Sequence, residues 1–322
     1  MDRFLITGGM GFLGSHLCER LLEQGKEVWA LDLFEAPVAE RLRQYDRFNL
    51  VVDTILNRPT LEKLVDRCDA VCHLAAIACP DQYVSQTRKT MDIGLRAGLD
   101  VIELVRLTGK FLFFTSTSEV YGRNPNVPWK EDDDRVLGSA EVDRWCYATS
   151  KAALEHYIRA CHLENQLDYV TVRVFNAYGP RLRGRVLDRF VTQAVRGERL
   201  TIHGDGAQTR CFTYVDDLID GFWRLIDTPA AHNTVYNVGN PTETSILDLA
   251  RTIAALTGQA PRFDFVTHDE AIGASYEDIP RRVPDVSKIA AAVGWRPSTS
   301  LEVGLAQTIA HRTEELALAP AV

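Results

Sequence analysis

TGGMGFLG, Thr7–Gly14, decides the fold of this chain. Gly8, Gly11 and Gly14 recur at every third position. Glycines at that spacing permit a tight turn and let backbone N–H groups approach a pyrophosphate at the positive end of a helix. A Gly-rich turn alone is an ordinary strand–helix connection, so its context carries the inference. Here FLITGG (Phe4–Gly9) reads as a strand and Phe12–Gln24 as a helix, so the glycines, with Phe12 and Leu13, fall where a dinucleotide cradle belongs. EVWALD (Glu27–Asp32) reads as the second strand and ends in Asp32, 18 residues past Gly14. A carboxylate there accepts hydrogen bonds from an adenosine ribose diol and repels a 2′-phosphate, which favours NAD over NADP. Asp53 follows a short third strand, Leu50–Val52. It suits a contact to the adenine amine and equally a loop or helix cap.

Outward from this unit, short apolar runs alternate with helical patterns. Ala70–Ala75, Phe111–Thr115 and Tyr169–Phe175 read as strands, and Thr87–Leu107 and Tyr147–Leu163 as long helices. Continuous Val, Ile, Leu and Phe without alternation suit a parallel sheet buried on both faces. Strand–helix alternation implies right-handed crossovers. The expected fold is therefore α/β, a Rossmann-type doubly wound parallel sheet. After Phe175 the pattern loosens into short segments rich in Pro, Gly and Arg. This predicts a dinucleotide-binding domain over residues 1–175, with 212–240 contributing, and a smaller substrate-binding domain over 176–322.

Of the 322 residues, 46% are hydrophobic and 25% charged, the balance of an ordinary soluble globular protein. A net charge of −8 leaves no footprint for nucleic acid or an anionic membrane. No apolar run approaches a membrane span. Asp2 and Arg3 lead straight into the first strand, so no signal peptide is expected. The seven cysteines are odd in number and irregular in spacing, with no C-x-x-C pair, which suits reduced thiols in a cytoplasm. The eight histidines show no metal spacing, and no metal is expected.

TSTSEVYG (Thr115–Gly122) and YATSK (Tyr147–Lys151) carry the chemistry. A phenol of pKa near ~10 is a poor base at neutral pH, and bringing it there takes roughly 4 kcal/mol of differential stabilisation. Lys151 lies one helical turn beyond Tyr147, on the same face, so its charge is expected to favour the phenolate. Glu119 adds a carboxylate. That is more acid–base equipment than alcohol oxidation needs, and it suggests a second step on the same substrate.

With these motifs in order, the chain resembles the extended short-chain dehydrogenase/reductase family of nucleotide-sugar enzymes over nearly its whole length. Further matching pieces are HLAA (His73–Ala76), RVFNAYGPR (Arg173–Arg181), GDGAQTRCFTYVDD (Gly204–Asp217), NVGNP (Asn237–Pro241) and RRVPDVSK (Arg281–Lys288). Within the family it looks most like the UDP-glucuronate decarboxylases. Thr117–Ser118–Glu119 matches their Thr-Ser-Glu; the dehydratases place an Asp where Ser118 stands. RRVPD resembles the decarboxylase segment whose Arg, here Arg282, faces the sugar carboxylate. AIACPDQY (Ala76–Tyr83) resembles a sugar-binding loop, with Cys79 in place of the expected Thr.

The resemblance implies NAD as cofactor, held by the glycine turn, Asp32, Asp53, Leu74, Ala75, Ala76, Tyr147 and Lys151. It implies a UDP-sugar substrate, held by Tyr83, Asn176, Arg181, Arg210 and Arg282. Arg183 and Arg185 read as surface arginines of a loop, and the acidic run Glu131–Asp134 as a solvated loop. In the implied reaction Tyr147 and Thr117 handle the C4 hydroxyl, and Ser118 and Glu119 manage the carboxylate end and the protons at C5. A bidentate fork from Arg282 holds the carboxylate. The product is UDP-xylose or the UDP-4-keto-pentose. Motif likenesses to both product types are present, with the balance toward UDP-xylose. The alternatives are a UDP-glucuronate 4-epimerase, another nucleotide-sugar epimerase or dehydratase, or a non-catalytic NAD-sensing protein; the last sits poorly with the presence of both Tyr147 and Lys151. The two long helices resemble a pair that forms a four-helix homodimer interface, although Ile93, Leu95 and Leu99 equally suit an ordinary core.

Overall fold

The computed structural model describes residues 1–267, 277 and 279–318; the end of the expected second domain, 319–322, lies outside them. The first six strands are β1 (Arg3–Thr7), β2 (Glu27–Asp32), β3 (Phe48–Val52), β4 (Ala70–His73), β5 (Phe111–Thr117) and β6 (Tyr169–Val174). With Thr234–Val238 they form one seven-stranded sheet. Its order is Thr234–Val238, β6, β5, β4, β1, β2, β3, and every pairing is parallel. β1 lies inside the sheet, third from the β3 edge, and the chain winds outward from it in both directions. Ligands of such sheets bind at the carboxyl ends of the strands, where the winding reverses. Here that point lies between β1 and β4.

All seven residues of β5 and all four of β4 are buried, as continuous apolar strands covered on both faces require. One face packs Leu5, Val71, Leu112 and Phe114 against the helices around Val101, Ile102 and Leu154. The other packs Ile6, Cys72, Phe113 and Val172 against α1 (Phe12–Glu23) and the helix Val215–Asp227. That second core runs on without a break to Leu249 and Ile253 of the helix Ile246–Leu256 and to Leu305 of the helix Leu301–Leu318. The smaller lobe is thus welded to the sheet through shared apolar contacts. Its own strands are short pairs, Leu200–His203 with Phe263–Val266 and Thr209–Cys211 with Glu243–Ser245.

Three sequence expectations change in the structure. The long helix expected over Thr87–Leu107 is interrupted by a π turn, Asp92–Arg96, between Thr87–Met91 and Ala97–Thr108. Gly94 and Gly98 face the helix Trp145–Asn165, where a Cβ would press on Ser150 and Leu154, so the two helices approach more closely than side chains would allow. The strand Thr234–Val238 completes the sheet beyond β6, although no strand was read there. Glu131 is not simply solvated: it is partly buried and accepts the N–H of Asn237 on that strand at 2.8 Å.

Candidate active site

A cleft of 740 Å³ runs along the carboxyl ends of the strands and under the smaller lobe. Its floor begins at the glycine turn. A Cβ on Gly8 would come 2.9 Å from the Ala75 backbone, and one on Gly14 would overlap the Gly8 carbonyl. Gly8 also has φ +71°, which L side chains rarely adopt. Backbone therefore packs against backbone here, and the first turn of α1 opens into the cleft with no side chain capping it. Asp32 accepts the N–H of Met10 at 2.9 Å and of Leu33 at 2.7 Å, and burial pushes its carboxyl up. Leu74, Ala75 and Ala76 line the same wall, anchored where Leu74 donates to the Thr7 carbonyl at 3.1 Å. Such a bare, amide-rich cradle with one acidic strand end fits a dinucleotide. Asp53 lines the cleft too, but its carboxylate already accepts from Asn57 at 2.7 Å and Thr60 at 2.6 Å, a loop role.

His73 shows how firmly this floor is built. It is fully buried, its Nδ1 lies 2.7 Å from Thr7 Oγ1, and burial holds its pKa down at about 3, so the ring stays neutral. It joins β1 to β4 from beneath the cofactor wall.

The candidate catalytic residues gather at the end of β5. Thr117 closes that strand and its Oγ1 accepts the Glu119 N–H at 3.2 Å, turning the chain into the short helix Ser118–Tyr121. Thr117, Ser118 and Glu119 line the cleft beside Tyr147 and Lys151 of the helix Trp145–Asn165. Tyr147 stacks flat on Tyr83, with ring centroids 5.4 Å apart and planes within 2°. Tyr83 is buried and braces the ring.

Lys151 is buried on the helix that carries Tyr147. Its ammonium donates to the Thr115 carbonyl at 2.8 Å, and burial pulls its pKa down to about 7, against the opposing charge of Glu155. Burial pushes Tyr147 up to about 12; Arg185 opposes this, Glu119 adds to it and a hydrogen bond with Thr117 opposes it. The protein alone therefore holds a phenol.

Glu119 is gripped from both sides. Arg144 Nη2 donates to Oε2 at 2.7 Å, and Arg282 Nη1 donates to Oε1. Side-chain exposure is 0% for Arg144, 8% for Arg282 and 11% for Glu119. Burial alone would raise Glu119, but the charges of Arg144 and Arg282 outweigh it and hold the carboxyl below its ordinary range. Arg282 is thus engaged with Glu119 rather than presenting the expected two-pronged fork, while its Nε is buried without a hydrogen-bond partner.

Asn176 and Arg210 line the cleft from the smaller lobe, where Asn176 donates to the Cys211 carbonyl at 3.3 Å and Arg210 to the Thr209 carbonyl at 2.7 Å. The expectation for Arg181 is corrected: it lies outside the cleft wall, its Nη2 bound to Glu19 of α1 and its Nε 3.2 Å from His16. Arg183 pairs with Glu315 at the surface, as read. Arg185 does not stay at the surface: it lines the cleft, donates to the Ala78 carbonyl at 3.4 Å and acts on Tyr147. Cys79 joins the same two walls, with Sγ 2.8 Å from the Gly184 carbonyl.

Sequence reasoning gave Arg144 and Arg185 no role in the site. Arg144 stands at the N-terminus of a helix, where a cation opposes the helix dipole. That mismatch signals a nearby carboxylate. Nothing in the local pattern marks Arg185.

A family model described as the NAD dependent epimerase/dehydratase family matches residues 4–239. The chain is 34% identical over 312 residues to the UDP-N-acetyl-alpha-D-glucosaminuronate decarboxylase of Bacillus cytotoxicus, covering 95% of this chain and 96% of that protein. It is 34% identical over 320 residues to UDP-glucuronic acid decarboxylase 1 of Xenopus tropicalis, covering 98% and 73%. Among solved structures, the UDP-glucuronic acid 4-epimerase from Bacillus cereus, in complex with UDP-glucuronic acid and NAD, has a TM-score of 0.87 at 28% identity, covering 97% of this chain and 99% of that one.

Proposed function

This chain belongs to the NAD-dependent epimerase/dehydratase family, and we propose that within it the protein decarboxylates UDP-glucuronate through a UDP-4-keto intermediate. The observation that carries this reading is the Glu119–Arg282 pair beside Tyr147 in the cleft. An epimerase needs a base and a hydride acceptor. A buried arginine next to the reacting end suits a substrate that carries a carboxylate. Ser118 stands where a dehydratase carries an acid, which argues against loss of water.

When bound, NAD supplies the oxidant for the alcohol at C4. Gly8, Gly11, Gly14 and Asp32 hold it. Thr117 Oγ1 orients the C4 hydroxyl, and Tyr147 Oη takes its proton as that carbon is oxidised. Burial holds Tyr147 as a phenol in the protein alone, so its phenolate would be favoured only where the cationic nicotinamide ring of a bound dinucleotide lies beside it. Arg282 positions the C6 carboxylate. With a ketone at C4, loss of carbon dioxide leaves an electron pair at C5 that the ketone delocalises. Glu119, with Ser118, manages the proton at C5. Asn176, Arg185 and Arg210 meet the anionic diphosphate. Return to C4 of the hydride held as NADH, with a proton from Tyr147, would give UDP-xylose; release of the sugar before that return gives the UDP-4-keto-pentose and leaves the dinucleotide reduced.

A second reading, UDP-glucuronate 4-epimerase, draws on the fold likeness to such an enzyme. The relative that acts on a 2-acetamido uronate widens the first reading to UDP-uronates bearing that group. Incubation with each UDP-uronate and NAD⁺, followed by mass spectrometry, separates these. Loss of carbon dioxide supports decarboxylation, and a product of unchanged mass supports epimerisation.

In the same reading the enzyme works in the cytoplasm as a homodimer through the helices Ala97–Thr108 and Trp145–Asn165. Among the described residues no helix is long and apolar enough to cross a membrane. Light scattering tests the dimer.

A further inference from the structure

We propose that Arg144 is a positioning residue, which keeps the Glu119 carboxylate anchored and ionised while Arg282 transfers its grip from Glu119 to the carboxylate of the substrate. This rests on the decarboxylase reading. The two arginines hold different oxygens of one carboxylate, so one contact can open while the other stays closed. They are also unlike in access. Arg282 lines the cleft, whereas Arg144 is fully buried behind it. Arg144 belongs to the turn that starts the helix Trp145–Asn165, and its guanidinium lies 5.5 Å from the Trp145 ring centroid. It therefore ties Glu119 to the rigid helix that carries Tyr147.

Charge makes the case independently. The two guanidiniums that bond Glu119 and its one carboxylate carry one net positive charge among themselves, which a substrate carboxylate neutralises; Arg210 adds to the positive side. Without Arg144 the Glu119–Arg282 pair is neutral before substrate arrives, and a second carboxylate would make it a buried anion. Two carboxylates sharing one cation cannot both stay ionised cheaply. Either Glu119 then takes a proton or Arg282 stays with Glu119 and the substrate binds weakly. The charged or titratable groups acting on Glu119 are Arg144, Arg282 and Arg210, with Tyr147 beside it.

The test compares wild type with Arg144→Lys, Arg144→Met, Glu119→Gln and the double variant Glu119→Gln/Arg144→Met, following carbon dioxide release from UDP-glucuronate across pH. Loss of a charge-assisted contact predicts a KM raised roughly tenfold or more in Arg144→Met. Loss of its cation also moves the acidic limb of the rate profile upward by about one pH unit. Arg144→Lys restores most of both. In the Glu119→Gln background, Arg144→Met costs less than about a further twofold, because its target is already neutral. If Arg144→Met does not fold, Arg144→Gln, which keeps a hydrogen-bond donor without the charge, takes its place in the same comparison. An unmoved acidic limb and KM in Arg144→Lys and Arg144→Met, or losses that simply multiply in the double variant, overturn the proposal. Wild type that releases no carbon dioxide from UDP-glucuronate or its 2-acetamido counterpart overturns the decarboxylase reading itself, before any variant is made.

Discussion

Arg282 Nη1 donates to Glu119 Oε1 across 163 residues of sequence, fastening the segment behind the smaller lobe to the turn after β5. The contact places a cation and a carboxylate together at the floor of the cleft, within the same lining as Tyr147. It separates the roles of the two residues. Glu119→Gln keeps the shape and removes the charge. It is expected to lower carbon dioxide release by roughly 100-fold, the scale of a lost acid–base group, while NAD⁺ binding is unchanged. Calorimetric titration of NAD⁺ and product mass check both halves. Product yield equal to wild type from Glu119→Gln removes it from the mechanism.

Tyr147→Phe removes one oxygen and leaves the ring on Tyr83. The fold should therefore stay as in wild type. Oxidation of the sugar, read as NADH absorbance in a single turnover, should fall by about 10²–10⁴-fold. A substantial residual rate would mean that another group takes the C4 proton.

Gly14→Ala tests the cradle by sterics alone. The added methyl meets the Gly8 carbonyl, which is backbone and has no room to yield. The variant is expected to lose measurable NAD⁺ affinity or to melt well below wild type, and overpacking of this kind costs about 1–3 kcal/mol. Unchanged affinity and melting temperature would show that the turn is looser than its geometry implies.

The buried Lys151 makes stability depend on pH in a definite direction. Its pKa in the folded protein is lowered to about 7 from an ordinary 10.5, so the folded state disfavours the charged form. The stability linked to neutral Lys151 is present above 10.5, declines as pH falls, and is gone below about 7. Lys151→Met removes this dependence. Its melting temperature relative to wild type should be higher at pH 6 than at pH 10, as paired thermal melts would show. The opposite order would mean that Lys151 is stabilised as a cation.

The parts legible in the sequence were those set by local rules. The glycine turn follows from sterics over eight residues, and Asp32 ends a strand whose apolar run is plain. Tyr147 and Lys151 share a helix face one turn apart. What stayed hidden depends on long-range pairing. Arg181 looks like a cleft residue until Glu19, 162 positions away, claims its guanidinium. Glu131 looks solvated until the strand Thr234–Val238 presents an N–H to it. Lys151 looks like an ordinary lysine until its burial, which disfavours the charged form, is known. Arg282 shows the same effect within a correct placement. It lines the cleft, but its partner in this structure is Glu119.

The most direct test is the mass of the product that purified protein makes from UDP-glucuronate with NAD⁺. The account predicts UDP-xylose, lighter by one carbon dioxide, together with the UDP-4-keto-pentose, lighter by a further two hydrogens. A nucleotide sugar of unchanged mass would contradict it.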